Sequence, residues 1–510
     1  MTHARFQPRL TGAHLMLPAL VAAALSACNV GPDFATPPAP QAAHVTPEPP
    51  ASPGEGQRFA ENRDIPADWW TLFRSKPLDA LVRESLDNNP SLQAADAAVR
   101  IAYYNAEAQK GGFSPQIFFN SNDSTNLQSN NRSLSTINQV IYNQLYPSPA
   151  NVLLNAPSVN TQNPPTANYA LLLKQFTISY TPDIWGGIAR SVESAQARTE
   201  QQRWQLEAAH LALTTNVIVA AIQEASIRGQ IEATKNIITI LRDSLDILRR
   251  QYSFGSIAKS DVIAQEAALA QAEQTLPPLE KQLAIQRDLL TALAGRLSFE
   301  GAGETFELSS FKLPETVPVT VPSRLVAQRP DIRAAEAALH QSSADVGVAI
   351  ANRLPNITLS ANLGASAFKA AELFTPGTGL YTAAANISQP IIDGMTLLNK
   401  QKAAEAALEQ ADAQYRSTVI NAFQNVADSL RALQADAKAV ATARKSEDAA
   451  KRSLDIVRMQ LKYGQVSQIE VLNAQRTYLL ASLSLVQAEA TRLSDTAALF
   501  MALGGGWWNR

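Results

Sequence analysis

Residues 89–99, NPSLQAADAAV, return 240 positions later as RPDIRAAEAAL at 329–339, and the same shift carries Pro115 onto Pro355. Further along, SFGSIAKSDVIAQ (253–265) returns as KYGQVSQIEVLNA (462–474), now at a shift of 209 that also lays Gly295 on Gly504. Ordered matches over such a span exclude chance, so the chain is two copies of one plan. The first copy carries about 30 residues more than the second between its proline and its glycine turn. The surplus is expected in the Asn- and Ser-rich segment 120–168, which reads as a long loop.

Each copy reads as helix, strand, loop, strand, very long helix, turn and long helix. Strands are expected at about 115–122, 170–181, 355–364 and 380–389. The third is the clearest: Ile357, Leu359, Ala361 and Leu363 alternate with Asn356, Thr358, Ser360 and Asn362. A soluble sandwich strand alternates in the same way, so alternation alone leaves the setting open.

The helical runs are harder to place in a globular domain. Between 184 and 253, and again between 395 and 463, the sole helix breakers are Gly186, Gly187 and Gly229, in a background of Ala, Gln, Leu, Glu, Lys and Arg. At about 1.5 Å per residue each run makes a rod on the order of 100 Å. The rods turn at Gly255 and Gly464, and helices return over 257–295 and 467–503. Pro277 and Pro278 predict a break in the first return, which the second lacks. Such rods either form a coiled-coil stalk or wall a tube.

Four alternating strands are too few to close a barrel, whose smallest versions have about eight. In lipid an open sheet edge leaves backbone groups unpaired at several kcal/mol each. If the strands cross a membrane, they therefore share a barrel with further copies of the chain.

The N-terminus has a signal layout over 1–27: Arg5 and Arg9, an apolar run at 15–25, then the small residues Ser26 and Ala27 before Cys28. Cys28 is the sole cysteine, so no intrachain disulfide forms. A cysteine in that place resembles the lipobox of bacterial lipoproteins, which implies N-palmitoyl and S-diacylglycerol groups on Cys28. Residues 35–56, rich in Pro, Ala and Gly, read as a spacer. No run of about 18 consecutive apolar residues follows Cys28. A net charge of −2 with mixed signs argues against nucleic-acid binding.

Catalytic signatures are missing from the sequence. His44, His210 and His340 lie far apart without metal-ligand spacing, and no phosphate loop or nucleophile elbow occurs. No cofactor and no enzyme activity are expected. His210 and His340 read as polar residues of a helical wall, and Asp183 and Asp393 as caps of the helices that follow. Trp69, Trp70, Trp507 and Trp508 read as packing residues.

The stretches CNVGPDF, DWWTLFRSKPLDALV (68–82), SYTPDIWGGIARSVESA (179–195), QPIIDG (389–394) and ALGGGW (502–507) together resemble the outer membrane factors of bacterial tripartite efflux systems. The resemblance covers nearly everything after Cys28 and falls in the TolC-like family's lipoprotein branch, similar to OprM and NodT. It implies an α+β membrane protein: four transmembrane strands per chain, very long antiparallel coiled-coil helices, and a homotrimer closing a 12-strand barrel above a periplasmic α-barrel. The organisation would be signal 1–27; lipidated segment and equatorial belt 28–88; first repeat 89–300; equatorial linker 301–328; second repeat 329–503; and tail 504–510. The implied partners are a periplasmic adaptor (membrane fusion) protein, an inner membrane pump of the resistance-nodulation-division (RND) type, and outer membrane lipid.

The same resemblance places a periplasmic gate at the second turn. Ile469 falls at an apolar constriction, Glu470 at an acidic position of some relatives, and Asn473 where relatives commonly carry Asp. Asp261 aligns with Glu470 and is expected to cap or charge its own helix start. Gly255 and Gly464 mark the tip turns where the adaptor would dock. The function implied is a passive exit duct in the outer membrane for drugs or other small molecules. A type I protein-secretion duct and a pore-less, lipid-anchored coiled-coil protein are the alternatives.

Overall fold

A computed structural model describes residues 29–40, 46, 52–54, 56–61, 63–129, 166–301, 303–319 and 322–509. The signal segment, Cys28, and the stretch 130–165 of the expected loop lie outside the described residues. In chain order the elements are β1 (Arg58–Glu61), α1 (Lys76–Asn88), α2 (Pro90–Lys110), β2 (Gln116–Ser129), β3 (Thr166–Tyr180), α3 (Gly187–Ser253), α4 (Lys259–Gln274), α5 (Leu276–Leu293), β4 (Thr316–Val319), α6 (Pro322–Gln328), α7 (Pro330–Ala351), β5 (Asn356–Ala367), β6 (Gly379–Ser388), α8 (Thr396–Lys462) and α9 (Gln468–Ala502). Two compact units result, and each takes residues from both repeats.

The first unit, 107–192 with 346–402 and the segment up to Gly31, holds a four-stranded antiparallel sheet in the order β2-β3-β5-β6. Register follows from facing pairs such as Phe119 with Phe176, Phe176 with Leu363, and Leu363 with Tyr381. The first two strands run longer than their sequence pattern predicts. Asn122–Ser129 pairs fully with Thr166–Leu173, so residues 123–129 and 166–169, beyond the expected strands, are ladder. Their Asn, Asp and Ser content is poor in strand propensity, but paired backbone hydrogen bonds outweigh that weak preference.

Both long helices open on an aspartate. The Asp183 carboxylate accepts from the backbone N–H of Ile188 (2.9 Å) and of Ala189 (2.7 Å). Asp393 accepts likewise from Met395 (3.0 Å) and Leu397 (2.8 Å). Each satisfies orphan donors of a first helical turn, the capping role that the sequence assigns them. The helices α3 and α8 then run for 67 residues each, about 100 Å of rod.

The second unit, 32–106, 193–345 and 403–510, is helical apart from a parallel ladder of β1 on β4. Its core gathers Trp69, Phe73, Leu78, Val217, Ile222, Phe306 and Phe500. Trp69 stacks on Phe500 with ring centroids 5.1 Å apart. Trp507 meets Trp204 edge-on and donates to Gln328 O, while Trp508 donates to Asp64. One stretch of α3 is apolar enough to cross a membrane; there Val217, Ile218, Ala221 and Ile222 are buried in the core instead. His340 is more than a wall residue: Glu193 lies 2.9 Å from its Nε2 and Phe34 stacks on its ring at 4.4 Å.

The two returns differ as the prolines predict. The first breaks at Thr275 into α4 and α5, with proline in the first turn of α5. The second, α9, runs unbroken for 35 residues.

Candidate channel wall and gate

The sheet is two-faced. Ile117, Phe119, Phe176, Ile178, Leu359, Leu363, Tyr381 and Ile387 share one face, all of them exposed. The opposite face carries Asn120, Asn122, Gln175, Thr177, Ser179, Asn356, Thr358, Ser360, Asn362, Thr382 and Asn386, with Phe118 and Leu173 among them. An exposed apolar patch of this extent needs a cover, and an opposite face that is mainly polar and uncharged suits water. At one end of the apolar face Lys174 Nζ holds both oxygens of Asp123 at 2.7 and 2.8 Å and also donates to Ser121. The ion pair interrupts the apolar band, which Leu172 and Ala367 continue beyond it. Strands β2 and β6 each have a neighbour on one side alone among the described residues. Their outer backbone groups therefore await a partner.

The two helix turns are built alike. Gly255 and Gly464 stand at φ +74° and +73°, a region closed to residues with a Cβ except at a cost. After each glycine, the next N–H reaches back five residues: Ser256 to Gln251 O and Gln465 to Gln460 O, both at 3.0 Å. These bonds cap the last carbonyls of α3 and α8. Phe254 and Tyr463, beside the glycines, are exposed.

Helix α9 starts directly after the second turn and presents two faces. Gln468, Val471, Ala474 and Gln475 are buried, whereas Ile469, Glu470 and Asn473 are exposed. The structure thus brings the three expected gate residues together on one side, with Ile469 62 % exposed. Glu470 stands in the first turn, where the helix dipole favours a carboxylate. Asp261 stands in the first turn of α4, where the helix dipole favours its carboxylate, and the N-cap position itself is Ala258.

Three glutamines that sequence reasoning passed over hold this end in place. Gln265 is fully buried and donates to Leu241 O at 2.9 Å; its own Oε1 accepts from Gln468 Nε2 at 2.9 Å. Gln475 donates to Ser244 Oγ at 3.1 Å. The network joins α3, α4 and the first turns of α9, so the placement of Ile469 and Glu470 depends on the other repeat. The spacing of Gln468, Val471 and Gln475 at i, i+3 and i+7 was the available signal, since it puts all three on the buried stripe.

A two-faced sheet, in a chain that also holds helices of this length, is what an outer-membrane transport protein requires. More narrowly, the chain belongs to the outer membrane efflux protein family, whose model matches residues 81–296 and 321–505. It is 27% identical over 462 residues to the pyoverdine export outer membrane protein OpmQ of Pseudomonas aeruginosa, covering 90% of this chain and 92% of that one. It is 25% identical over 494 residues to the probable efflux pump outer membrane protein TtgC of Pseudomonas putida, covering 96% and 95%. Among solved structures, the outer-membrane channel OprN shares the fold with a TM-score of 0.79 at 23% identity, over 94% of this chain and 100% of that one.

Proposed function

We propose that three copies of this chain close their free sheet edges into one 12-strand barrel and serve as the exit duct of a tripartite efflux pump. The observation that carries this reading is the four-stranded sheet with β2 at one edge and β6 at the other among the described residues. In an antiparallel sheet of four strands the edges run oppositely, so β6 of one copy meets β2 of the next in antiparallel register. Repetition by a cyclic operator removes every edge. The polar faces then line a wet lumen, and the exposed apolar face meets lipid.

The long helices, joined in the same ring, form a periplasmic α-barrel, and their turns narrow its mouth. Ile469 supplies an apolar ring that closes by dewetting, and Glu470 a ring of negative charge. Asn473 contributes no charge. The exposed turns at Gly255 and Gly464 are the docking points for a periplasmic adaptor, which links the duct to an inner membrane pump of the RND type. Cys28 carries the lipid anchor. Next to it, Asn29 packs on Gly186, and Val30 N–H donates to Trp185 O at 3.1 Å, where β3 gives way to α3.

Single-channel recording in planar bilayers tests the reading. The purified protein passes discrete current steps, and Ile469→Ala raises their conductance together with influx of large antibiotics into cells. A protein that inserts yet passes no current overturns the duct; unchanged conductance and influx in the variant overturn the gate.

A further inference from the structure

The two repeats keep in structure the shifts that their sequences show. Helices α3 and α8 start 209 positions apart, and α2 and α7 start 240 apart. The strand ladders obey the same two shifts: Gln116 faces Ser179 in the first hairpin, and Asn356 faces Ser388 in the second. Every pairing along the shorter hairpin therefore repeats one in the longer. Between the hairpins lies a third ladder, β3 on β5, in which Thr177 faces Asn362 and Leu173 faces Ser366. It joins the second strand of one repeat to the first strand of the other. The corresponding junction of β6 with β2 is not made within the chain, because those strands are the two edges of the sheet.

A second observation concerns the helices that join these strands. Helices α3 and α7 approach closely, so that a Cβ added to Gly187 would sit 2.9 Å from the Ala351 methyl. The shifts of 209 and 240 carry Gly187 onto Thr396 and Ala351 onto Gly111. Gly111 lies outside the left-handed region, and a Cβ added to it would meet nothing within 4 Å in its own chain. Its own surroundings therefore do not call for glycine. Facing Thr396 of a second copy does: the close approach that a glycine permits from α3 in one seam is permitted from the α2 side in the other.

We propose that the β3–β5 seam inside the chain is the template of the seam between copies. Strand β6 of one copy pairs with β2 of the next in the register that sets Asn386 opposite Asn122 and Thr382 opposite Asn126. This rests on the shared barrel proposed above and specifies how its subunits lock. All of β6, Gly379–Ser388, then falls opposite residues 120–129 of β2. Faces agree as well, since Asn386 and Thr382 meet asparagines on the mainly polar side. A slip of one residue sets Ile387 against Asn120 or Asn122 and turns every β6 side chain to the wrong face. A slip of two keeps the faces but displaces Thr396 from Gly111 by about 7 Å along the strands.

Disulfide cross-linking of the full-length protein in outer membranes tests the register. Facing residues of an antiparallel pair lie about 4.5–5.5 Å apart, within reach of a disulfide, whereas diagonal neighbours at about 7–8 Å exceed it. Asn386→Cys combined with Asn122→Cys should, under a mild oxidant, give covalent dimers and trimers on a non-reducing gel. Asn386→Cys with Asn120→Cys or with Ser124→Cys should give little, and the parent, whose sole cysteine is Cys28, none. Thr382→Cys with Asn126→Cys repeats the test further along the seam and decides it should the first pair fail to insert. Product from the 120 or 124 pairing instead overturns the register and leaves the shared barrel standing. No product from any pair in a protein of trimer mass overturns the register alone. No product in a protein of monomer mass overturns the barrel with it.

Discussion

Gln468 donates through Nε2 to Gln265 Oε1 at 2.9 Å, and Gln265 donates onward to Leu241 O at the same distance. The first residue of α9 is thereby held by the hairpin of the other repeat. Replacing Gln265 with Ala leaves the buried Gln468 amide without its acceptor, at about 1–3 kcal/mol. The expected outcome is faster hydrogen exchange over 466–476 with α7 unchanged. Equal exchange in both proteins would show that the amide pair does not hold this end.

Glu470 is the acidic residue exposed in the first turn of α9. Glu470→Gln removes one charge per chain from the proposed mouth with little change in side-chain size. In a salt gradient across a planar bilayer, the reversal potential of the variant moves toward zero from the cation-preferring side. An unmoved reversal potential would place the selecting charge elsewhere.

The break at Thr275 rests on Pro277 and Pro278, which lack the N–H groups that would continue α4 into α5. Changing both to Ala restores those donors and gives the first return the continuity of α9. Slowed exchange of the amides at 275–279 is the expected result. Amides there that exchange as fast as in the parent would show that the surrounding packing imposes the break.

Asp64 accepts from Trp508 Nε1 at 2.8 Å. That bond leads, and with those of Asn509 and the Ile65 N–H and the charge of Arg324 it holds the carboxyl below the usual carboxylate range against the opposing effect of burial. A lowered carboxyl value stabilises the folded state above the ordinary range near 4 and ceases to do so as pH falls through it. Trp508→Phe removes the leading donor. The gap in thermal midpoint between parent and variant should stay constant from neutral pH to about 5 and close below about 4. A gap that persists in acid would assign the loss to packing of the indole alone.

How much of this was legible in the sequence depended on the range of the contacts involved. The long helices, the glycine turns, the aspartate caps and the proline break all follow from residues close in sequence, and each stands where its local pattern places it. The true length of β2 did not show, because Asn122–Ser129 forms a strand through pairing and against its own propensity. The glutamine ties were hidden for another reason: amides scattered along a helix read as surface polarity until a partner from the other repeat covers them. The contact of Gln57 with Arg492 joins residues 435 positions apart and leaves no local trace.

The duplicated plan has not stayed mechanically uniform. One returning helix is an unbroken stave, while its counterpart is jointed at Thr275. In the ring proposed above, continuous and interrupted staves would alternate around the wall, so a pull on its mouth would bend the chain first where the first return is interrupted, at Thr275.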